Sequence, residues 1–191
     1  RRRGLKIHRD DLSFSLLEAV RLGKEDCIPS LLAAGADPNC EDEDGKTPLF
    51  LAMEKGGASP QTVKELLKAG AKPDKPTYYM QQTALHMAAK KGFQVVVKSL
   101  VSARAKVDKH DASGNTAMMY AAREGHVTIV RMLIREGADP DAKNLQNEAG
   151  IHLAAKNGHV AVVHELLAAN AYLNERDSRG HTPLFLACKA S

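Results

Sequence analysis

The chain has 191 residues, of which 43% are hydrophobic and 26% are charged, and this composition excludes a disordered chain because it supplies ample apolar surface for a core. Only 4% of the residues are aromatic and tryptophan is absent, which favours closely spaced helices over an all-β sandwich. The formal net charge of +4 is too small by itself to imply nucleic-acid binding.

A four-residue motif recurs along the chain, with starts at residues 47, 83, 116, 149 and 182. The copies are Thr47-Pro48-Leu49-Phe50, Thr83-Ala84-Leu85-His86, Thr116-Ala117-Met118-Met119, Ala149-Gly150-Ile151-His152 and Thr182-Pro183-Leu184-Phe185. The first step is 36 residues and the next three are 33. A glycine follows nine residues after each start except the last, and projecting one step back from 47 predicts a start at Phe14 and a glycine at 23, where Gly23 is present. The sequence is therefore built from repeats.

Each repeat predicts two helices and a projecting loop. Thr followed by Pro favours a helix start, pairs such as Ala88-Ala89 let neighbouring helices approach closely, and the glycine ends this first helix. A second helix with Val, Ile and Leu on one face follows. It ends at residues for which we predict positive φ, namely Gly35, Gly70, Arg104, Gly137 and Asn170. The polar, turn-rich segments between repeats predict projecting hairpins, which we call fingers.

The period and the TPLH-type motif resemble the ankyrin repeat family. The resemblance implies an all-α repeat solenoid of about six repeats, the last of them truncated. We place the repeats at 9–41, 42–77, 78–110, 111–143, 144–176 and 177–191, after a basic extension at 1–8. Because the chain begins with arginines rather than Met and stops within a repeat, we expect both ends to be cut from a longer protein.

Two repeats depart from the pattern. The first has Phe14-Ser15-Leu16-Leu17 in place of the motif, and we interpret it as an N-terminal capping repeat, which needs a polar outer face. The second is longer by two residues near 57–60 and by one in its finger, which carries Tyr78, Tyr79 and Met80. Tyr and Met are enriched in binding hot spots, so this finger is a candidate contact. Alternatively, the longer loop folds Tyr79 or Met80 back onto a neighbouring finger.

The family resemblance implies that the end of each first helix faces a concave groove, which binds another protein together with the fingers. Seven of the twelve residues at these places are basic, and the basic stripe is interrupted by Glu54 and Glu124. It predicts an acidic or extended partner segment, although cations at exposed helix ends also complement the helix dipole. The acidic finger at 41–44 would repel an acidic ligand, so we expect the acidic portion of the partner toward the later repeats. The predicted partner-binding residues are Lys55, Tyr78, Tyr79, Met80, Lys90, Lys91, His110, Arg123, Glu124 and Lys156.

The sequence carries no motif for catalysis, so we predict no enzyme activity, no cofactor and no metal. The resemblance implies that His86 and His152 form hydrogen bonds between repeats, and the three cysteines have no zinc-ligand spacing.

Alternative functions are a regulatory or targeting segment of a larger enzyme or channel, and a nucleic-acid or polyphosphate surface. The latter is disfavoured because aromatics for stacking are not interleaved with the basic residues. Asn39 and Asn174 resemble positions that are hydroxylated in some family members.

No apolar run approaches the length of a membrane span, and no segment resembles a signal peptide. An odd number of cysteines fits a reducing compartment. We therefore predict an intracellular protein, cytoplasmic or nuclear, without predicting its oligomeric state.

Overall fold

The computed structural model describes residues 9–54 and 59–190. The predicted basic extension at 1–8 and the predicted contact Lys55 lie outside these residues. The described part is a stack of helix pairs that contains no strand, which confirms an all-α repeat solenoid. The inner helices are α1 (Arg9–Leu22), α3 (Pro48–Glu54), α5 (Ala84–Lys91), α7 (Ala117–Arg123), α9 (Gly150–Lys156) and α11 (Pro183–Ala190). The outer helices are α2 (Ile28–Ala33), α4 (Pro60–Lys68), α6 (Gln94–Ser102), α8 (Val127–Arg135) and α10 (Val160–Ala168).

The helices form two layers with the core between them. Each inner helix packs against the inner helices before and after it, and the outer helices stack in the same order. The motif residues Leu85, Met118 and Ile151 are at most 1% exposed, and the alanines at 88, 121 and 154 are fully buried. Small side chains at these places allow the close helix spacing that the sequence predicts, so every repeat covers the apolar face of the next.

The predicted helix ends are confirmed by the backbone. The inner helices α5 and α7 are followed by Gly92 and Gly125, which have φ values of 78° and 77°. After the outer helices, Arg104 and Asn170 have φ values of 63° and 64°, so these non-glycine residues do adopt the left-handed conformation. That conformation costs a non-glycine residue about 1 kcal/mol.

A histidine from the following repeat lies against two of these glycines. His126 Nε2 donates to the Lys90 carbonyl oxygen over 3.2 Å, and His159 Nε2 donates to the Arg123 carbonyl oxygen over 2.9 Å. These bonds satisfy carbonyl groups that the end of an inner helix leaves without an intrahelical partner. Each therefore fixes the last turn of an inner helix, where the predicted groove residues are located.

Candidate interaction groove

An Asp or Asn side chain shapes most of the fingers. The Oδ1 atom of Asp111 accepts hydrogen bonds from the backbone N–H groups of Ser113 and Asn115 at 2.8 and 2.9 Å. The same pair of bonds occurs at Asp42, Asn144 and Asp177. Such turns need a short side-chain acceptor at this place, which explains the spacing of Asp and Asn along the chain.

Neighbouring fingers are joined by backbone hydrogen bonds, each from an N–H group of one finger to a carbonyl oxygen of the finger before it. The bonds run from Tyr78 to Asp44 over 2.9 Å, from Ala112 to Met80 over 2.9 Å, from Leu145 to Ser113 over 3.0 Å and from Ser178 to Gln146 over 2.8 Å. The fingers therefore form one connected row and present their tips in a fixed order.

The second finger contains the extra residue that the sequence predicts. Thr77 takes the place of the Asp or Asn, and its N–H group bonds to the carbonyl oxygen of Gln82, five residues on, whereas the other fingers close over four. Gln81 takes the left-handed position with a φ of 51°. The backbone groups of Tyr78 and Met80 both form hydrogen bonds to neighbouring fingers. Tyr79, which lies between them at the tip, is 78% exposed.

Tyr78 packs against the first finger. Its hydroxyl donates to Glu41 Oε2 over 2.7 Å, and a Cβ atom added to Gly45 would lie 2.5 Å from the Tyr78 ring. Tyr78 still has 53% of its surface exposed, and Tyr79 and Met80 are 78% and 51% exposed. The sequence offered Tyr79 or Met80 as the residue that folds back onto a neighbouring finger, whereas the side chain that contacts the first finger is that of Tyr78. Tyr79 and Met80 face outward.

We expect Tyr78→Ala to lower the melting temperature by roughly 2 to 4 °C, because it removes the ring from Gly45 and the hydrogen bond from Glu41. Tyr79→Ala should leave the melting temperature nearly unchanged, since an exposed side chain without such contacts contributes little to folding. Thermal unfolding followed by circular dichroism compares the two variants. Equal losses for both would contradict this division of roles.

Two cations of the predicted basic stripe converge on one aromatic ring. Lys90 Nζ lies 5.8 Å from the centroid of the Tyr120 ring, and Arg123 Cζ lies 5.6 Å from it. Both distances are within the range of cation–π attraction. Lys90 comes from α5 and Arg123 from α7, so the stacking of two repeats brings these residues together.

Tyr120 is held by a buried network. Its hydroxyl donates to Asp111 Oδ2 over 2.6 Å and accepts from Gln82 Nε2 over 2.7 Å. The rings of His86 and Tyr120 form a T-shaped pair with a centroid distance of 6.0 Å. Burial, together with the hydrogen bond to the Asp111 carboxylate, raises the pKa of Tyr120 to about 12. Burial opposes ionisation of Asp111 as well, but the hydrogen bonds from Tyr120 and from backbone N–H groups outweigh it and lower the pKa of Asp111. The phenol is therefore neutral and the carboxylate ionised near neutral pH.

The other predicted contacts are distributed around this pair. Lys91 and Glu124 are exposed at the ends of α5 and α7, and His110 is exposed at the base of the third finger. Lys156 lies one repeat further on, and its Nζ is 4.0 Å from Glu148 Oε1.

Most carboxylates of the acidic first finger are paired with cations. Glu41 pairs with Lys75 at 3.0 Å, Asp42 with Arg21 at 3.1 Å and Asp44 with Lys46 at 3.2 Å. Because three of its four carboxylates already have cationic partners, this finger repels an acidic ligand less than we expected.

Sequence reasoning missed Tyr120, Asp111 and Gln82 as parts of the groove. A signal was present: Tyr120 stands at a place where four other repeats carry Leu51, Met87, Leu153 and Leu186. A tyrosine at a buried position requires a hydrogen-bond partner, and Asp111 lies in the finger just before the same helix. Leu145 was missed as well; it is 73% exposed at the tip of the fourth finger.

The family histidines occupy the bridging positions that the resemblance implies. His86 contacts the carbonyl oxygens of Lys109 and Asn115 in the next finger at 2.9 and 3.1 Å, and His152 contacts that of Glu175 at 3.0 Å. Burial lowers the pKa of His86.

Within residues 9–54 and 59–190, no three His, Cys, Asp or Glu side chains are grouped so as to hold a metal ion. No helix in that part of the chain is long and apolar enough to cross a membrane.

Comparison with known proteins identifies the class. A family model for three copies of the ankyrin repeat matches residues 16–111 and 57–144, and a model for a single ankyrin repeat matches residues 151–178. The chain therefore belongs to the ankyrin repeat family. This family is generally a non-catalytic protein-interaction module, and the grooves and fingers described above are the surfaces that the stack presents.

Each of the similar proteins matches about half of this chain. The chain is 36% identical over 89 residues to glycerophosphocholine phosphodiesterase gde1 of Schizosaccharomyces pombe, a match that covers 47% of this chain and 8% of that protein. It is 35% identical over 98 residues to human NF-kappa-B inhibitor alpha, covering 49% of this chain and 30% of the inhibitor. It is 33% identical over 99 residues to cyclin-dependent kinase 4 inhibitor B of Rattus norvegicus, covering 52% of this chain and 74% of that protein.

Proposed function

We propose that this chain binds an extended acidic segment of a partner protein in the groove of repeats two to four. The observation that carries the proposal is the pair Lys90 and Arg123, which meets on Tyr120 and has no carboxylate within 4.0 Å among the described residues. At the equivalent place in its own repeat, Arg21 is paired with Glu18 and Asp42. Two cations without an acidic partner at neighbouring inner-helix ends attract a negatively charged segment and orient it.

The second finger supplies the apolar part of the proposed surface. Tyr79 and Met80 are exposed on the finger that precedes α5, and Tyr and Met provide large contact areas at interfaces. The proposed partner therefore combines carboxylates for Lys90, Lys91 and Arg123 with an apolar side chain for this finger. Two of the similar proteins are inhibitors of NF-kappa-B and of cyclin-dependent kinase 4 by name, which favours a protein partner.

A second candidate is that this module regulates or targets a larger protein of which it is one segment. The match to 8% of a much longer phosphodiesterase favours this arrangement. The same groove would then bind either another protein or another domain of its own chain, so the charge requirement on the bound segment is unchanged.

The experiment measures binding of a fluorescein-labelled peptide of alternating Glu and Gly, with a Gln-for-Glu peptide as the neutral control. We expect Lys90→Glu with Arg123→Glu to weaken binding of the acidic peptide about tenfold or more, since both cations become repulsive. The matched control is Lys64→Glu with Lys98→Glu, which makes the same change in net charge at exposed positions of α4 and α6. It should change affinity less than about twofold at physiological salt, because a Debye length is only about 8 Å there.

Two outcomes would contradict the proposal. One is an equal loss of affinity for the groove and control variants, which would show that only the total charge matters. The other is tighter binding of a generic single-stranded RNA than of the acidic peptide at physiological salt, with the steep salt dependence of phosphate contacts. That result would favour the nucleic-acid alternative.

A further inference from the structure

We infer that Lys90, Arg123 and Tyr120 form a subsite for a single carboxylate side chain of the partner segment, with Tyr120 as its floor. The inference rests on the proposed function and adds the place and the chemistry of one contact. The two cationic groups lie 5.8 and 5.6 Å from the centroid of the same ring. Because both cations approach the same ring, we place the carboxylate at this ring, where either cation can pair with it.

The subsite is preorganised because its floor cannot turn. Tyr120 is 6% exposed, and its hydroxyl is fixed between Asp111 Oδ2 at 2.6 Å and Gln82 Nε2 at 2.7 Å. A hydrogen bond from a phenol to a carboxylate shifts electron density toward the ring, which strengthens attraction of cations to its face. Both cations are thereby held near the ring before any ligand arrives, and less side-chain entropy is lost on binding.

The backbone contributes to the same preorganisation. The carbonyl groups of Lys90 and Arg123 are both held by histidines of the following repeat, over 3.2 and 2.9 Å. The main chain that carries each cation is therefore anchored to the next repeat, while the ring attracts the side chain. Among the described residues, the inner helix ends at 54 and 156 have neither an aromatic floor nor two facing cations: Glu54 pairs with Lys46, and Lys156 approaches Glu148.

The charge around the subsite favours a carboxylate over a phosphate. Lys90, Lys91 and Arg123 supply three positive charges, and Asp111 and Glu124 supply two negative ones, so the balance of these five residues is +1. One carboxylate neutralises this balance, whereas a phosphate dianion would exceed it.

Three substitutions at one position test the role of the ring, with the acidic Glu and Gly peptide as the probe. We expect Tyr120→Leu to weaken binding about five- to tenfold, because it removes the π face and leaves the cations unorganised. Tyr120→Phe keeps the face and should bind within about twofold of the wild type, although it is less stable because Asp111 loses a hydrogen bond. Tyr120→Trp enlarges the face and should retain binding if the domain folds, as checked by circular dichroism.

The pattern separates a positioning role from a structural one. If affinity followed stability, Tyr120→Phe would bind as weakly as Tyr120→Leu, and the inference would be overturned. It would also be overturned if Tyr120→Leu bound the probe like the wild type while Lys90→Glu with Arg123→Glu did not; that result would leave the proposed function intact. A probe with one phosphoserine in a Gln background that bound more tightly than the matching probe with one Glu would reject the carboxylate assignment.

Discussion

Gly125→Ala is expected to destabilise the protein by about 2 to 3 kcal/mol, and Gly158→Ala by only about 1 kcal/mol. Both glycines follow an inner helix and have similar φ values, 77° and 73°, so the cost of a left-handed alanine is the same for both. A Cβ atom at Gly125, however, would lie 2.7 Å from Nδ1 of His159, whereas one at Gly158 would meet nothing within 4 Å. Displacing His159 also breaks its 2.9 Å bond to the Arg123 carbonyl oxygen. Urea unfolding of the two variants measures the difference.

A double-mutant cycle assigns the extra cost to the histidine. In a His159→Ala background the Cβ of residue 125 meets no ring, so Gly125→Ala should then cost about as much as Gly158→Ala. An extra cost that persisted without the imidazole would contradict this explanation. Because His159 anchors the backbone of Arg123, Gly125→Ala should also weaken binding of the acidic peptide, while Gly158→Ala should not.

The repeat architecture could be predicted from local patterns. A motif that returns every 33 residues, with a glycine at a constant distance, determines helix starts and ends because capping and left-handed residues act within one turn. Even the unusual ends at Arg104 and Asn170 have the positive φ values that their positions in the repeat predict. The ankyrin family and the all-α fold are accordingly confirmed.

The organisation of the groove could be predicted only in part. The basic stripe could be counted, but which cations are already neutralised depends on residues of other repeats: Arg21 meets Asp42, whereas Lys90 meets Tyr120. Likewise, the sequence could not decide between packing and exposure for the aromatic finger, because the position of Tyr78 depends on the space above Gly45 of the preceding finger. Contacts of this kind join two different repeats, and the period of the sequence repeat does not indicate which of their side chains meet.

Asp111→Ala is expected to cost about 3 to 5 kcal/mol, a larger loss than that of an ordinary finger residue. The substitution removes the acceptor of the backbone N–H groups of Ser113 and Asn115 and of the Tyr120 hydroxyl, and these groups lie in a region with little access to water. Asp177→Ala is the matched control, because Asp177 accepts the same two backbone bonds in its finger but has the partly exposed partner His181, at 3.3 Å from Oδ2, in place of a buried tyrosine. It should cost roughly 1 to 2 kcal/mol, and equal losses for the two variants would contradict a special role for the network.

Asp111→Asn tests the negative charge of Asp111 separately from its role in forming the turn. The protein already uses Asn144 to shape a finger in the same way, so an amide should keep both backbone bonds and cost about 1 to 2 kcal/mol at neutral pH. The pKa of Asp111 is lowered below its ordinary value of 3.8 in the folded chain, so its stabilising effect is present above that value and is lost as the pH falls through the folded-state pKa. The stability gap between the wild type and Asp111→Asn should therefore narrow below about pH 4, as urea unfolding across pH would show. A stability difference that stayed constant in acid would mean that the Asp111 carboxylate acts only by forming the turn. Its contribution to holding Lys90 and Arg123 over the Tyr120 ring would then have to come from geometry alone.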